Sequence, residues 1–153
     1  MPYLNVRQVE SALLAAARPP NDPFTELITL PNPTWEGRTC RALKIAKGSD
    51  SERMGIYFIG GVHAREWGSP DILIYFIQRL TRAYRTNSDL NVGSKNFTAA
   101  QIQSIVDNLD VFIFPQVNPD GRNYSMTVEP NWRKNRRPAS SSSLLLTGED
   151  HLT

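Results

Sequence analysis

Cysteine is almost absent from this chain, since Cys40 is the only one among 153 residues. No internal disulfide can form, and cysteine usage therefore does not indicate a redox compartment. Long apolar runs are also missing, because none approaches the roughly 18 residues needed to span a membrane. The first seven residues lack the basic-then-apolar order of a signal peptide. We expect no membrane segment, and localisation stays unknown from the sequence.

An excess of one sign of charge is likewise missing. The chain has 17 basic and 15 acidic side chains, a formal net charge of +2, which does not demand an anionic partner. The one basic cluster, residues 132–137, is short for a nucleic-acid surface, so we expect no nucleic-acid partner. With 40% apolar and 21% charged residues, the composition suits one globular domain or part of one.

The first half of the chain predicts one helix and three strands. Apolar residues recur at helical spacing behind Asn5, a plausible N-cap. Residues 24–30 and 39–46 are strand-like, and the turn formers between them indicate an antiparallel hairpin. The glycine-bounded apolar run 55–59 predicts a strand buried on both faces.

The second half predicts two helices and one more buried strand. Ser69 can cap the first helix, with Pro70 at its first position and an apolar stripe that begins at Ile72. Thr98 and Gln101 form a capping box for the second helix, which leads into the apolar strand 111–114. Asn118-Pro119-Asp120-Gly121 is a strong turn signal. This order of elements predicts an α/β sandwich with a parallel or mixed sheet.

The segment with the most chemical content joins a predicted strand to a predicted helix, and it reads Gly60-Gly61-Val62-His63-Ala64-Arg65-Glu66-Trp67. Ligand crevices in open α/β sheets form at the carboxyl ends of strands. His63 and Glu66 can reach one ion if the loop turns back, and zinc accepts both ligand types. The spacing alone is not specific, because a histidine bonded at a strand end and a glutamate in a first helical turn look the same.

The longer string from Gly61 to Trp67 resembles the first metal-binding motif of the zinc carboxypeptidases of the carboxypeptidase A and B type. Segments 36–38, 117–121 and 131–136 resemble that family's early hairpin turn, its turn after a strand and its Trp-Arg-Lys segment, in the family's order. The resemblance covers roughly residues 3–143. It implies a three-layer α/β/α sandwich with a mixed, largely parallel sheet, and a metallocarboxypeptidase that removes C-terminal residues from peptides.

The resemblance also implies roles for particular residues. His63 and Glu66 would be ligands of Zn²⁺, and Arg65 would contact the peptide substrate. Arg133 would donate hydrogen bonds to the developing oxyanion, which suits a planar and permanently charged guanidinium. The alternatives are that Arg65 is an exposed loop cation and that Arg133 belongs to a solvated basic run. Trp132 is expected to pack rather than to bind a ligand.

Beyond Ser143 the family pattern breaks. The family continues with an Asn-Arg pair, a second histidine ligand, a tyrosine and a glutamate general base, and none of these motifs follows. His151 is the only other histidine, and its surroundings do not resemble those of the second ligand. We therefore divide the chain into residues 1–143, the front half of a catalytic domain with an incomplete sheet, and residues 144–153, an unstructured or aberrant tail.

Two functions follow from these features. The first is a zinc-dependent metallocarboxypeptidase by family, inactive as given because the third ligand and the base are missing. The second is a non-catalytic remnant that binds a peptide or another partner. We expect a peptide or protein C-terminus as substrate, a monomer, no membrane partner, and an apolar sheet edge left exposed by the missing strands. The family is usually secreted or extracellular.

Overall fold

The computed structural model describes residues 3–48 and 52–138 of the chain. Its helices and strands are interspersed along the sequence, with a short 3₁₀ turn at Asp22–Phe24 before the first strand. In chain order they are α1 (Val6–Ala16), β1 (Thr25–Thr29), β2 (Arg41–Ile45), β3 (Met54–Ile59), α2 (Gly68–Thr86), β4 (Leu90–Val92), β5 (Lys95–Phe97), α3 (Ala99–Asn108), β6 (Leu109–Phe114) and α4 (Pro119–Thr127).

The main sheet of the described residues has four strands in the order β1-β2-β6-β3. The predicted hairpin is present, because β1 and β2 pair antiparallel, and β2 pairs antiparallel with β6. β3 and β6 are parallel, and the long connection through α2 and α3 places β6 between β2 and β3. β4 and β5 form a separate small hairpin. The predicted α/β class with a mixed sheet is confirmed.

The core lies between one face of this sheet and the helices α1, α2 and α3. Alternate side chains of β2 and β6 point into it, as the two-residue period of a strand requires. α1 packs on α2, and α2 packs on α3, so the three helices form one layer over the sheet. The most deeply buried members are Leu43, Ile45, Val111 and Ile113 from the sheet and Val9, Leu13, Ile77, Leu80, Ile102 and Val106 from the helices.

Strand β3 differs from its prediction. It lies at the edge of the described sheet, and Met54 and Ile59 are 70% and 65% exposed. The prediction that this run is buried on both faces was wrong, because an apolar run has the same sequence pattern at the centre and at the edge of a sheet. The exposed apolar edge is what an incomplete sheet was expected to have.

The helix boundaries follow local capping signals in α1 and α3 but not in α2. Thr98 forms the predicted capping box with Gln101, and Asn5, predicted as an N-cap, forms a capping box with Gln8 as well. α2 begins at Gly68, one residue before the predicted cap, and Ser69 Oγ instead accepts a hydrogen bond of 2.9 Å from Gly61 N. Ile72, predicted to face inward, is 66% exposed. Ser69 therefore accepts a hydrogen bond from the loop after β3 in place of the predicted N-cap bond within α2.

The segment Asn118-Pro119-Asp120-Gly121 is also more regular than predicted, since it opens helix α4 instead of forming an isolated turn. Asn118 is the N-cap and Pro119 occupies the first helical position, where its missing N–H costs nothing. No helix within residues 3–48 and 52–138 is both long and apolar enough to cross a bilayer. The predicted tail and His151 lie outside the described residues.

Candidate active site

The loops that follow the two parallel strands are bonded to each other. Val117 N donates to Gly60 O at 3.0 Å, and Asn118 N donates to Gly61 O at 2.9 Å. Gly61 has φ of +64°, and a Cβ there would lie 3.2 Å from Pro115 O. A side chain would therefore be strained and crowded at this position. These hydrogen bonds hold the two strand ends together, and His63 follows two residues after Gly61.

Asn118 connects these two loops to the segment that carries Arg133. Its Oδ1 accepts from Gly121 N at 2.9 Å and caps α4, while its Nδ2 donates to Val62 O at 3.2 Å and to Lys134 O at 3.1 Å. Gly121 leaves room for this crossing, because a Cβ there would lie 2.5 Å from Lys134 O. The segment after α4 thus passes directly over the loop after β3.

Three of the predicted site residues meet at this crossing. His63 Nδ1 lies 2.8 Å from Glu66 Oε1, and Arg133 Nη2 lies 2.7 Å from His63 Nε2. A guanidinium can only donate, so Nε2 accepts, and the ring proton sits on Nδ1 and is donated to Glu66. Ala64 N also donates to Arg133 O at 3.0 Å. The loop and the Arg133 segment are therefore joined through both side chain and backbone.

His63 and Glu66 have the ligand types and nearly the spacing that a zinc ion requires. Two ligands on one tetrahedral zinc, each at 2.0–2.2 Å, lie about 3.4 Å apart. A small shift would therefore let both bind if the ring proton moved from Nδ1 to Nε2, a change that would end the hydrogen bond from Arg133 to Nε2. Within residues 3–48 and 52–138, no group of three or more His, Cys, Asp or Glu side chains could hold a metal ion. The described residues therefore fit two positions of a zinc site and do not complete it.

A cleft of about 640 Å³ opens beside His63 and Arg133. Several of its lining residues are basic, and the exposed indole of Trp35 also lines it. Such a cleft suits a ligand that carries both a negative group and an apolar side chain. The basic side chains that line it are Arg133, Lys134, Arg136 and Arg137.

Asp120 holds the loop that carries Trp35. Its carboxylate, which is 3% exposed, accepts hydrogen bonds from Thr34 Oγ1 at 2.8 Å, Glu36 N at 2.9 Å and Arg38 Nη1 at 2.6 Å. Burial by itself would raise the pKa of Asp120, but these three hydrogen bonds and the Arg38 charge hold that pKa below its ordinary value. The carboxylate is committed to the fold, so it is not free to take a proton from a substrate.

Arg65 lies apart from the His63–Arg133 contact. Its side chain is exposed, and it shows no hydrogen bond or ion pair to the described residues, which suits a substrate contact and a loop cation equally. Trp132 packs edge-on against Tyr124 with ring centroids 5.1 Å apart, and the Arg136 guanidinium lies 3.8 Å from the Tyr124 centroid. The contacts of Trp132 are thus the packing contacts expected of it.

Sequence reasoning assigned no role to two residues one turn apart on α4. Ser125 and Arg122 are buried, and both contact the loop between His63 and Trp67. The signal that could have found them was the Asn-Pro pair at 118–119. Read as a helix start rather than a turn, it places Arg122 and Ser125 on one face of a helix, three residues apart.

Comparisons with known proteins show the family of this chain. The family model described as zinc carboxypeptidase matches residues 14–151. The metallocarboxypeptidase A of Arthroderma otae is 41% identical over 104 residues, which are 67% of this chain and 22% of that protein. The carboxypeptidase B of Astacus astacus is 32% identical over 108 residues, 71% of this chain and 30% of its own length.

Solved structures show the same fold. The carboxypeptidase A of Helicoverpa armigera superposes with a TM-score of 0.72 at 21% identity, over 94% of this chain and 31% of that one. Bovine thrombin-activatable fibrinolysis inhibitor, solved with a tick carboxypeptidase inhibitor, gives 0.70 at 23% identity, over 92% and 39%. The chain belongs to the zinc carboxypeptidase family, and it spans about a fifth of the length of the fungal relatives it matches.

Proposed function

We propose that this chain supplies part of the active site of a zinc-dependent metallocarboxypeptidase, which removes C-terminal residues from peptides. The observation that carries the proposal is the contact of His63 with both Glu66 and Arg133, where the segment after α4 crosses the loop after β3. In this proposal His63 and Glu66 are two of the metal ligands. Zn²⁺ bound there would lower the pKa of a coordinated water and polarise a carbonyl.

Arg133 has the chemistry of an oxyanion donor in this proposal. Its guanidinium is permanently charged and offers several N–H groups, and the backbone bond between Ala64 N and Arg133 O fixes its Cα beside the ligand loop. A donor held in place before reaction stabilises developing negative charge without reorganisation. The exposed Arg65 is proposed to contact the peptide further from the reacting carbonyl.

The 153-residue chain on its own is proposed to be inactive. The described residues offer two metal ligands, and Asp120, a carboxylate that lines the cleft, is already hydrogen-bonded to the 34–38 loop. Structural zinc sites reach about 10–16 kcal/mol by closing four ligands around the ion, and a pair of ligands supplies only part of this. We expect weak zinc affinity and no hydrolysis.

The cleft beside His63 favours a second candidate, a module that binds a peptide without cleaving it. The basic cleft and its exposed Trp35 are complete enough to contact a peptide C-terminus, whether or not a metal is held. Two results together would favour this candidate. A peptide would bind the isolated chain with micromolar affinity, and neither that chain nor a completed catalytic domain would cleave it.

The proposal is tested with the isolated chain and with a chimera. The chimera continues after Pro138 with the corresponding C-terminal part of the Astacus astacus carboxypeptidase B. Calorimetric zinc titration and release of C-terminal residues from a peptide panel, with and without a chelator, are measured on both. We expect chelator-sensitive release from the folded chimera alone. Chelator-insensitive release would contradict the zinc assignment, and a nanomolar site in the isolated chain would contradict the incomplete site.

The role of Arg133 is tested in the same chimera. Arg133→Ala should lower kcat by about 10²–10³ with little change in KM, because an oxyanion donor acts mainly in the transition state. Arg137→Ala is the matched control, since it removes an equal charge from the same cleft. A pure KM effect of Arg133→Ala, or an equal loss of kcat in both variants, would show that Arg133 only attracts substrate.

A further inference from the structure

The loop from His63 to Trp67 is short of internal hydrogen bonds, so its shape depends on what it packs against. Within the loop, one backbone bond joins Glu66 N to His63 O at 3.1 Å. The side chains of His63 and Glu66 are 36% and 58% exposed, so burial does not fix them. Helix α4 supplies two buried side chains, Ser125 and Arg122, that contact this loop.

Ser125 holds the middle of the loop. Its hydroxyl, which belongs to a fully buried residue, accepts a hydrogen bond of 2.8 Å from the Trp67 indole Nε1. Its single proton points to Ala64 O at 2.7 Å, which is shorter than its 3.0 Å contact with Arg122 O. One hydroxyl thus bonds to residues on both sides of Glu66.

Arg122 holds the end of the same loop. Its guanidinium is 1% exposed, and Nη1 donates to Trp67 O at 2.9 Å, while Nη2 lies 3.2 Å from Asp71 Oδ1 and also donates to Leu4 O. Leu4 N in turn donates to the other oxygen of Asp71 at 3.1 Å. A buried charge with these partners has little freedom, because a move that breaks these hydrogen bonds leaves further buried donors unpaired beside Nε, which has no partner in the described residues.

Helix α4 also leads into the segment of Arg133, whose carbonyl accepts from Ala64 N. We infer that Ser125 and Arg122 are positioning residues, which lock the loop of His63 and Glu66 onto α4 so that one helix sets both the ligand pair and Arg133. The inference rests on the proposed function for the identity of the metal. It goes beyond that function, because neither residue touches the metal or the substrate.

Loss of these hydrogen bonds from α4 is expected to change the geometry of His63 and Glu66 and not only to lower stability. Partners that orient a metal ligand from behind are typically worth 10–100-fold in metal affinity. Ser125→Ala should therefore weaken zinc binding at His63 by about tenfold or more. Thr127→Ala is the matched control, because it removes a hydroxyl from the same helix that bonds only to Asn123 O.

The experiment follows zinc binding through the His63 ring signals in NMR titrations of the 153-residue chain. Amide hydrogen exchange at residues 64–67 and the urea midpoint are measured on the same samples. We expect Ser125→Ala to weaken zinc binding and to speed exchange at Ala64 and Glu66, while Thr127→Ala leaves both within twofold. Trp67→Phe breaks the same hydrogen bond from the other side, and it keeps the test valid should Ser125→Ala not fold.

A folded Ser125→Ala or Trp67→Phe variant with wild-type zinc affinity and wild-type exchange would overturn the inference. A wild-type chain whose His63 signals ignore millimolar zinc would instead contradict the proposed metal site. In that case the exchange rates alone decide the positioning role: faster exchange at Ala64 and Glu66 in Ser125→Ala supports it, and unchanged exchange overturns it.

Discussion

Replacing Asp120 by asparagine should destabilise the loop that forms one wall of the cleft. Asp120 Oδ1 accepts from Thr34 and Arg38, and Oδ2 accepts from Glu36 N. The asparagine amide keeps the shape of the carboxylate but turns one oxygen into an NH₂ group. Whichever way it is oriented, this group faces at least one of the existing donors.

The magnitude follows from these contacts. Hydrogen bonds to a charged group contribute about 1.5–3 kcal/mol each, and breaking a buried ion pair costs about 3–5 kcal/mol. Arg38 keeps its second partner, Glu36, and its side chain is 28% exposed, which reduces the loss. We therefore expect Asp120→Asn to lower the free energy of unfolding by about 2–4 kcal/mol at neutral pH.

The assay is urea unfolding at a series of pH values. The pKa of Asp120 is lower in the folded chain than in the unfolded chain, where it is about 3.9. Its contribution is therefore complete above about pH 4 and is lost as the pH falls through the folded-state pKa. The difference between wild type and Asp120→Asn should shrink over that acidic range. Asp22→Asn, at an exposed position, is the control for the same chemical change.

The reasoning would be refuted if Asp120→Asn were as stable as Asp22→Asn at pH 7. It would also be refuted if the difference between wild type and Asp120→Asn stayed constant down to the lowest pH at which the wild type is folded. In the second case the loss would come from packing and not from the carboxylate charge.

Two further predictions concern close packing and the sheet edge. Gly121→Ala should lower the free energy of unfolding in urea by about 1–3 kcal/mol, because its Cβ would lie 2.5 Å from Lys134 O. Gly68→Ala is the control, since a Cβ there meets nothing closer than 3.8 Å. Equal stability of the two variants would disprove the close approach at Gly121. Ile59→Lys should reduce self-association of the isolated chain in analytical ultracentrifugation, because it places a charge on the open strand edge. Val128→Lys, at an equally exposed residue outside the sheet, should not, and equal effects would argue against association through the β3 edge.

The α/β class, the hairpin β1–β2 and the cap residues Asn5 and Thr98 could be predicted from the sequence because each is set by residues close together in the chain. Asn5 bonds to Gln8, and Thr98 bonds to Gln101, three residues away in both cases. Such contacts are present in the local sequence pattern itself. The family resemblance likewise rests on short contiguous strings, and the family model match confirms it.

The edge position of β3 and the role of Ser69 were decided only by the tertiary structure. Whether the apolar run 54–59 has neighbours on both sides depends on which other strands reach it, and no local pattern encodes that. Ser69 had the residue type and place of an N-cap, but Gly61 N, eight residues away, took its hydroxyl oxygen as acceptor. Tertiary hydrogen bonds outweigh local propensity at such sites.

The candidate site divides in the same way. The sequence by itself determined the residue types that could hold zinc and donate to an oxyanion, because His63, Glu66 and Arg133 lie in recognisable strings. Only the fold decided that Arg133, 70 residues after His63, comes within 2.7 Å of its ring. Only the fold, again, placed the buried hydroxyl of Ser125 against the loop of residues 63–67, because a contact between distant segments exists only once the strands and α4 have packed.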